Sequence, residues 1–163
     1  MLTLSLLPCR LIAPAIVFTI FFASALPLSA RSTFFGHGTR SVEVSQELVD
    51  AARIAEENAR SSPSKYCWRY VKRALVASNA VDSYPDGISA KYAGKELTEN
   101  YGFQKLKNIT DPENAPVGAV LVYGGTGYGH VEIRTEDGYV SDFKTTRHSK
   151  RPLTGVYVKL AST

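Results

Sequence analysis

Apolar residues change their period along this chain, and the changes mark out its organisation. Leu11 to Ala30 is uncharged and dense in Ile, Val, Phe and Ala. From Ser41 to Arg60, Val44, Leu48, Ala52, Ala55 and Ala59 recur at three- and four-residue spacing, with Glu43, Glu47, Glu56 and Glu57 mostly off that stripe. This predicts an amphipathic helix. Ser61-Ser62-Pro63-Ser64 breaks it, and Ser64 is a candidate N-cap for a second helix from Lys65 to Ser78. That helix would turn Tyr70, Ala74 and Val71 or Leu75 to the core, with Cys67 in its first turn. Residues 79–116 are punctuated by Pro and Gly and predict short helical turns, such as one through Ser89 to Tyr101. From Val117 the pattern becomes that of strands. Ala119 to Tyr123 is an apolar β-favouring run, His130 to Thr135 alternates, and Glu136-Asp137-Gly138 turns the chain. Tyr139 to Phe143 then returns, and Gly155 to Leu160 adds a further strand. Helices first and an antiparallel sheet afterwards predict an α+β fold.

A length of 163 residues fits one modest domain. The net charge of +4 is a mild excess that does not call for a nucleic-acid partner, and no aromatic stacking platform accompanies the basic residues. Residues 1–30 carry a single charge, Arg10, ahead of the apolar run, with Ala23-Ser24-Ala25 or Leu28-Ser29-Ala30 as a small-residue cleavage site. That is the pattern of a secretory signal peptide, and an uncleaved anchor is the alternative reading. Either way the expected location is secreted or periplasmic, with membrane attachment only if the leader stays. Residues 31–60 would form a linker, with His37 solvated between two glycines, followed by the N-terminal helix. Residues 61–163 would form the functional domain. Removing the leader takes Cys9 with it and leaves Cys67 as the one thiol, so no internal disulfide is expected.

A lone cysteine is more often a buried small hydrophobe than a nucleophile. Here its surroundings point to chemistry. At a helix start, unsatisfied N–H groups and the helix dipole favour negative charge, and thiolate is the nucleophilic form. His130 is the best-placed partner to take up the proton. It opens an alternating strand directly after Gly124-Gly125-Thr126-Gly127-Tyr128-Gly129, where glycines allow close approach of a substrate backbone. That loop lacks the lysine of a phosphate-binding loop and leads into a strand. A third group should orient the imidazole. If Glu136-Asp137-Gly138 is a three-residue hairpin loop, Asp142 falls on the His130 face. A two-residue loop puts it on the opposite face and leaves Glu132 as the orienter. Lys144, Arg147, Lys150 and Arg151 form a basic loop that is either a solvated turn or a cradle for substrate carboxylates. Tyr123 and Tyr128 either shape a groove or pack.

The stretch Ser64-Lys65-Tyr66-Cys67-Trp68-Arg69-Tyr70-Val71 resembles the cysteine-bearing helix of CHAP domains, the cysteine, histidine-dependent amidohydrolases/peptidases related to papain. Ala115-Pro116-Val117-Gly118-Ala119-Val120 is similar to that family's Pro-x-Gly-Asp segment, with Ala119 standing where Asp is usual. Gly129-His130-Val131-Glu132-Ile133 resembles its histidine strand, and Val140-Ser141-Asp142 falls where it places a Glu, Asp or Asn. The resemblance covers about Ser61 to Lys159. It implies a papain-like fold and cleavage of amide bonds in peptidoglycan through a thioester, at either the muramoyl–alanine bond or a peptide bond. Cys67, His130 and Asp142 would be catalytic, with Tyr66, Tyr128 and Gly129 lining the substrate cleft and the Cys67 N–H serving the oxyanion. No metal or other cofactor is expected, and the partner is peptidoglycan acted on by a monomer. A non-catalytic wall-binding domain retaining the same fold is the alternative.

Overall fold

The computed structural model describes residues 42–161, so the leader, Cys9 and His37 lie outside it. Three α-helices precede most of the sheet: α1 (Gln46–Glu57), α2 (Cys67–Ala77) and α3 (Ala93–Asn100). Six strands follow or flank them: β1 (Gln104–Lys105), β2 (Val120–Tyr123), β3 (His130–Arg134), β4 (Tyr139–Val140), β5 (Lys144–Thr145) and β6 (Leu153–Val158). They form one antiparallel sheet in the order β1-β6-β2-β3-β4-β5. The class is the expected α+β, with helices packed on an antiparallel sheet. Among the described residues no helix is long and apolar enough to cross a membrane.

The apolar stripes explain the packing. Leu48, Ala51, Ala52 and Ala55 of α1 and Val71, Ala74 and Leu75 of α2 are buried, and the small alanines let the two helices approach closely. Tyr70 is only half-buried, and Trp68 takes a core position instead. Both helices pack against β3. Cross-strand pairing of Val120 with Ile133 and of Val122 with Val131 gives the sheet a continuous apolar face. Each such side chain contributes on the order of 1.5–3 kcal/mol when removed from water. Gly118, just before β2, has φ +86, and a Cβ there would lie 2.8 Å from the Leu48 backbone. Only glycine lets α1 sit this close to the start of the central strand.

Two predicted elements differ in detail. α2 begins at Cys67 with Tyr66 as its N-cap residue, and Ser64 makes no cap. The returning strand is split into β4 and β5, because the Ser141 N–H turns in to bond the Phe143 carbonyl at 3.1 Å. The expected turn at Ser89–Tyr101 is a short 3-10 segment, Ala90–Tyr92, running into α3. The strand β1 was not expected from the sequence, being two residues long and without apolar alternation.

Candidate active site

Cys67 is the first residue of α2, so its backbone N–H has no intrahelical acceptor and projects from the positive end of the helix. The thiol is half-buried. It lines an open cleft of about 450 Å³ together with Tyr66, Tyr128 and Gly129. The sequence-predicted cleft residues thus share one cleft with the thiol. Tyr66 and Tyr128 are well exposed. The Tyr128 carbonyl is held by the Lys91 N–H at 3.0 Å and the Ser89 hydroxyl at 3.2 Å, which ties the glycine loop to the segment before α3.

His130 opens β3 opposite Tyr123. Gly129 before it has φ +72, and a Cβ there would stand 2.5 Å from the Tyr123 carbonyl oxygen. The Cys67 side chain favours the charged form of the imidazole. Its Nε2 lies 3.2 Å from Glu132 Oε2. Burial disfavours the charged ring, but hydrogen bonds and negative charge from Cys67 and Glu132 outweigh it and raise His130 to about 9. The ring therefore carries its proton at neutral pH.

Glu132 is 1% exposed, so its partners decide whether it can hold a charge. Its Oε1 accepts from the Tyr123 hydroxyl at 2.6 Å and from the Ser149 N–H at 3.2 Å, leaving Oε2 for His130. Burial and the adjacent Glu132 charge push the Tyr123 phenol upward, so it remains a neutral donor. The result is a hydrogen-bonded relay Tyr123–Glu132–His130.

Asp142 is not in that relay. The Thr135 N–H bonds the Gly138 carbonyl at 2.9 Å, and the ladder pairs Ile133 with Val140. This is the two-residue-turn register, one step away from the one that would set Asp142 opposite Glu132. The Asp142 carboxylate instead accepts from the Ser64 N–H at 2.5 Å, the Ser64 hydroxyl at 2.8 Å and the Tyr66 N–H at 3.4 Å, with Ser141 Oγ on its other oxygen at 3.1 Å. Burial works against its charge, but these donors prevail and hold its pKa below the usual carboxylate value. Asp142 thus fixes the turn that presents Cys67, and Glu132 faces the imidazole.

Of the basic loop, Lys144 lies 3.6 Å from Glu56, and Arg151 donates to the Thr126 carbonyl at 3.0 Å. Arg147, His148 and Arg151 border a second, shallower groove on the His130 and Glu132 side. Sequence reasoning did not single out Tyr123 as the Glu132 donor. Its signal was available in the strand pairing, since a tyrosine opposite His130 lies diagonal to residue 132.

No protein-family profile and no curated protein matches the chain. Solved structures do. One is a chain of the crystal structure of the type VI native effector–immunity complex Tae3–Tai3 from Ralstonia pickettii, with 22% identity and a TM-score of 0.56. The match covers 69% of this chain and 98% of that one. The selenomethionine form of the same complex matches at 25% identity and a TM-score of 0.48, over 58% of this chain and 80% of that one. The first likeness establishes a shared fold.

Proposed function

We propose that the chain is an exported cysteine hydrolase that cleaves an amide bond of peptidoglycan, with Cys67 as nucleophile, His130 as acid and base, and Glu132 as the residue that orients the imidazole. The observation that carries this reading is a half-buried thiol at a helix start together with a histidine that rests on a buried, doubly hydrogen-bonded carboxylate and whose charged form the thiol favours. Cys67 Sγ attacks the carbonyl carbon, and the oxyanion is met by the Cys67 N–H. His130 gives its proton to the leaving amine nitrogen as the C–N bond breaks, leaving a thioester. Water then attacks the thioester, His130 accepts one of its protons, and the carboxylic acid departs as the C–S bond breaks, returning Cys67 and His130 to their starting states.

The CHAP-like motifs support the substrate class. The fold shared with a chain of an effector–immunity complex fits a wall-degrading effector held in check by a cognate protein. The apolar leader supports delivery to the secreted or periplasmic space. A non-catalytic wall-binding domain is the competing reading, and the buried Tyr123–Glu132–His130 relay together with a thiol at the start of α2 favours catalysis.

Zymography on purified peptidoglycan tests the proposal, with Cys67→Ala as the control. A small thiol truncated at a helix start costs little packing, so the variant should fold and lose all lysis. Native Cys67 should also react with iodoacetamide near pH 6.5. Lysis by a folded Cys67→Ala protein, or a thiol inert until denaturation, would overturn the cysteine mechanism. Mass spectrometry of the released muropeptides identifies the bond cut.

A further inference from the structure

The Cys67 cleft carries three cations on its walls, Lys65, Arg69 and Lys72, and no Asp or Glu. Beyond the Gly87-Ile88 rim the balance reverses, and the adjoining groove is bordered by Asp86, Glu96 and Glu99 against the single cation Lys95. Positive charge is therefore concentrated on the nucleophile's side of that rim.

Lys72 is the unusual member. It is 7% exposed, a rare state for a lysine. Helical spacing explains how it is held. Trp68 and Lys72 lie four apart on one face of α2, with the ammonium 5.4 Å from the indole ring, and Tyr84 stands 4.4 Å away on another side. Nζ donates to the Gly87 carbonyl at 3.0 Å. An ammonium has three donors, and among the described residues no carboxylate comes within ion-pair distance of this one. Burial depresses its pKa, and Asp86 and Glu96 offset that only in part. Buried charges normally find a partner of opposite sign.

The other two cations flank the same space. Arg69 stacks on the Tyr66 ring at 4.2 Å. Lys65 is held at φ 68, a left-handed conformation that costs a non-glycine residue on the order of 1 kcal/mol and that clusters at functional sites.

We propose that Lys72, with Lys65 and Arg69, forms an anion subsite that binds a free carboxylate of the peptide whose amide bond Cys67 attacks. The inference rests on the hydrolase reading and specifies its substrate. Lys72 lies five residues from Cys67, about 7.5 Å along the helix axis, which is roughly two residues of extended peptide. The recognised carboxylate thus belongs to a residue near the scissile carbonyl. Trp68 and Tyr84 shield the pair from water and strengthen it.

Calorimetric titration of the full chain carrying Cys67→Ala tests binding apart from catalysis. The probes are two stem peptides, identical except that the side-chain carboxylates are free in one and amidated in the other. The free acid should bind at least tenfold tighter, and Lys72→Met should bring the ratio close to one. Lys65→Gln and Arg69→Gln are exposed changes that leave the core untouched, and each should reduce the ratio about threefold. Equal binding of the two peptides overturns the subsite, as does a ratio unchanged in the folded lysine and arginine variants. If Lys72→Met fails to fold, the two exposed variants decide. Failure of wild-type lysis with the binding ratio intact would instead overturn the hydrolase reading and leave the subsite standing.

Discussion

The Asp142 carboxylate accepts both the backbone N–H and the hydroxyl of Ser64, three residues ahead of Cys67 and 78 positions away in sequence. With the Tyr66 N–H on the same oxygen, one buried side chain fixes the whole turn leading into α2. Lys65 sits between these donors in a left-handed conformation, and the Asp142 contacts offset its strain.

Asp142→Ala should therefore act through the turn and leave the His130 titration in place. It strands the Ser64 N–H, at a cost of about 1–3 kcal/mol. Asp142→Asn keeps an accepting oxygen and should cost less. Because the folded-state pKa of Asp142 is depressed, its contribution is present above the ordinary carboxylate pKa and is lost as pH falls through the lower folded value. Thermal unfolding at neutral and strongly acid pH checks this, and the wild-type advantage over Asp142→Ala should vanish in acid. An unchanged melting temperature with a shifted histidine titration would return Asp142 to the imidazole.

Glu132→Gln should disable the pair directly. His130 is raised to about 9, above its ordinary value near 6.5, so the ion pair stabilises the fold fully below 6.5 and is lost as pH rises through 9. The alkaline limb of the pH–rate profile should fall near 9 in the wild type. Without the carboxylate charge it should move down by about one unit or more. A limb that stays put shows that Glu132 does not govern the imidazole.

The division between Asp142 and Glu132 shows what the sequence could and could not settle. The helical stripes of α1 and α2 and the strands β2, β3 and β6 all rest on local periodicity, and local periodicity is legible. The third residue depended on hairpin register. A single-residue slip exchanges the faces of a strand, and Glu136-Asp137-Gly138 permits either turn. The Lys72 environment was hidden for a different reason. A lysine in a helix reads as a solvated position, and only the approach of Tyr84 and the Gly87 carbonyl buries it.

Gly129→Ala should cost more than its size suggests. The position requires φ +72, and a methyl group there would collide with the Tyr123 carbonyl oxygen at 2.5 Å and with Lys91. The left-handed conformation alone costs an alanine about 1–2 kcal/mol, and relieving the collision displaces the first residue of β3. Activity should fall more than tenfold through displacement of His130, with the melting temperature lowered as well. Full activity in a folded Gly129→Ala protein would show that the start of β3 does not set the imidazole's position.

Tyr123→Phe isolates the far end of the relay. The ring is fully buried and phenylalanine keeps its shape, so the change removes one hydroxyl from Glu132 Oε1 and little else. A buried carboxylate deprived of a donor loses about 1–3 kcal/mol of stabilisation. The Ser149 N–H remains on Oε1, so the side chain stays in place with more freedom to turn. The imidazole should then spend less time aligned with the thiol, lowering kcat several-fold with KM nearly unchanged. The contact between Glu132 Oε2 and the imidazole is untouched, so the alkaline limb near 9 should stay where it is. The split between Tyr123→Phe, slower at the same pH limb, and Glu132→Gln, slower with a shifted limb, separates positioning from charge. Rates and pH profiles for the two variants on one wall substrate decide it. If Tyr123→Phe matches the wild type in both, the relay ends at Glu132 and the tyrosine serves only to fill the sheet.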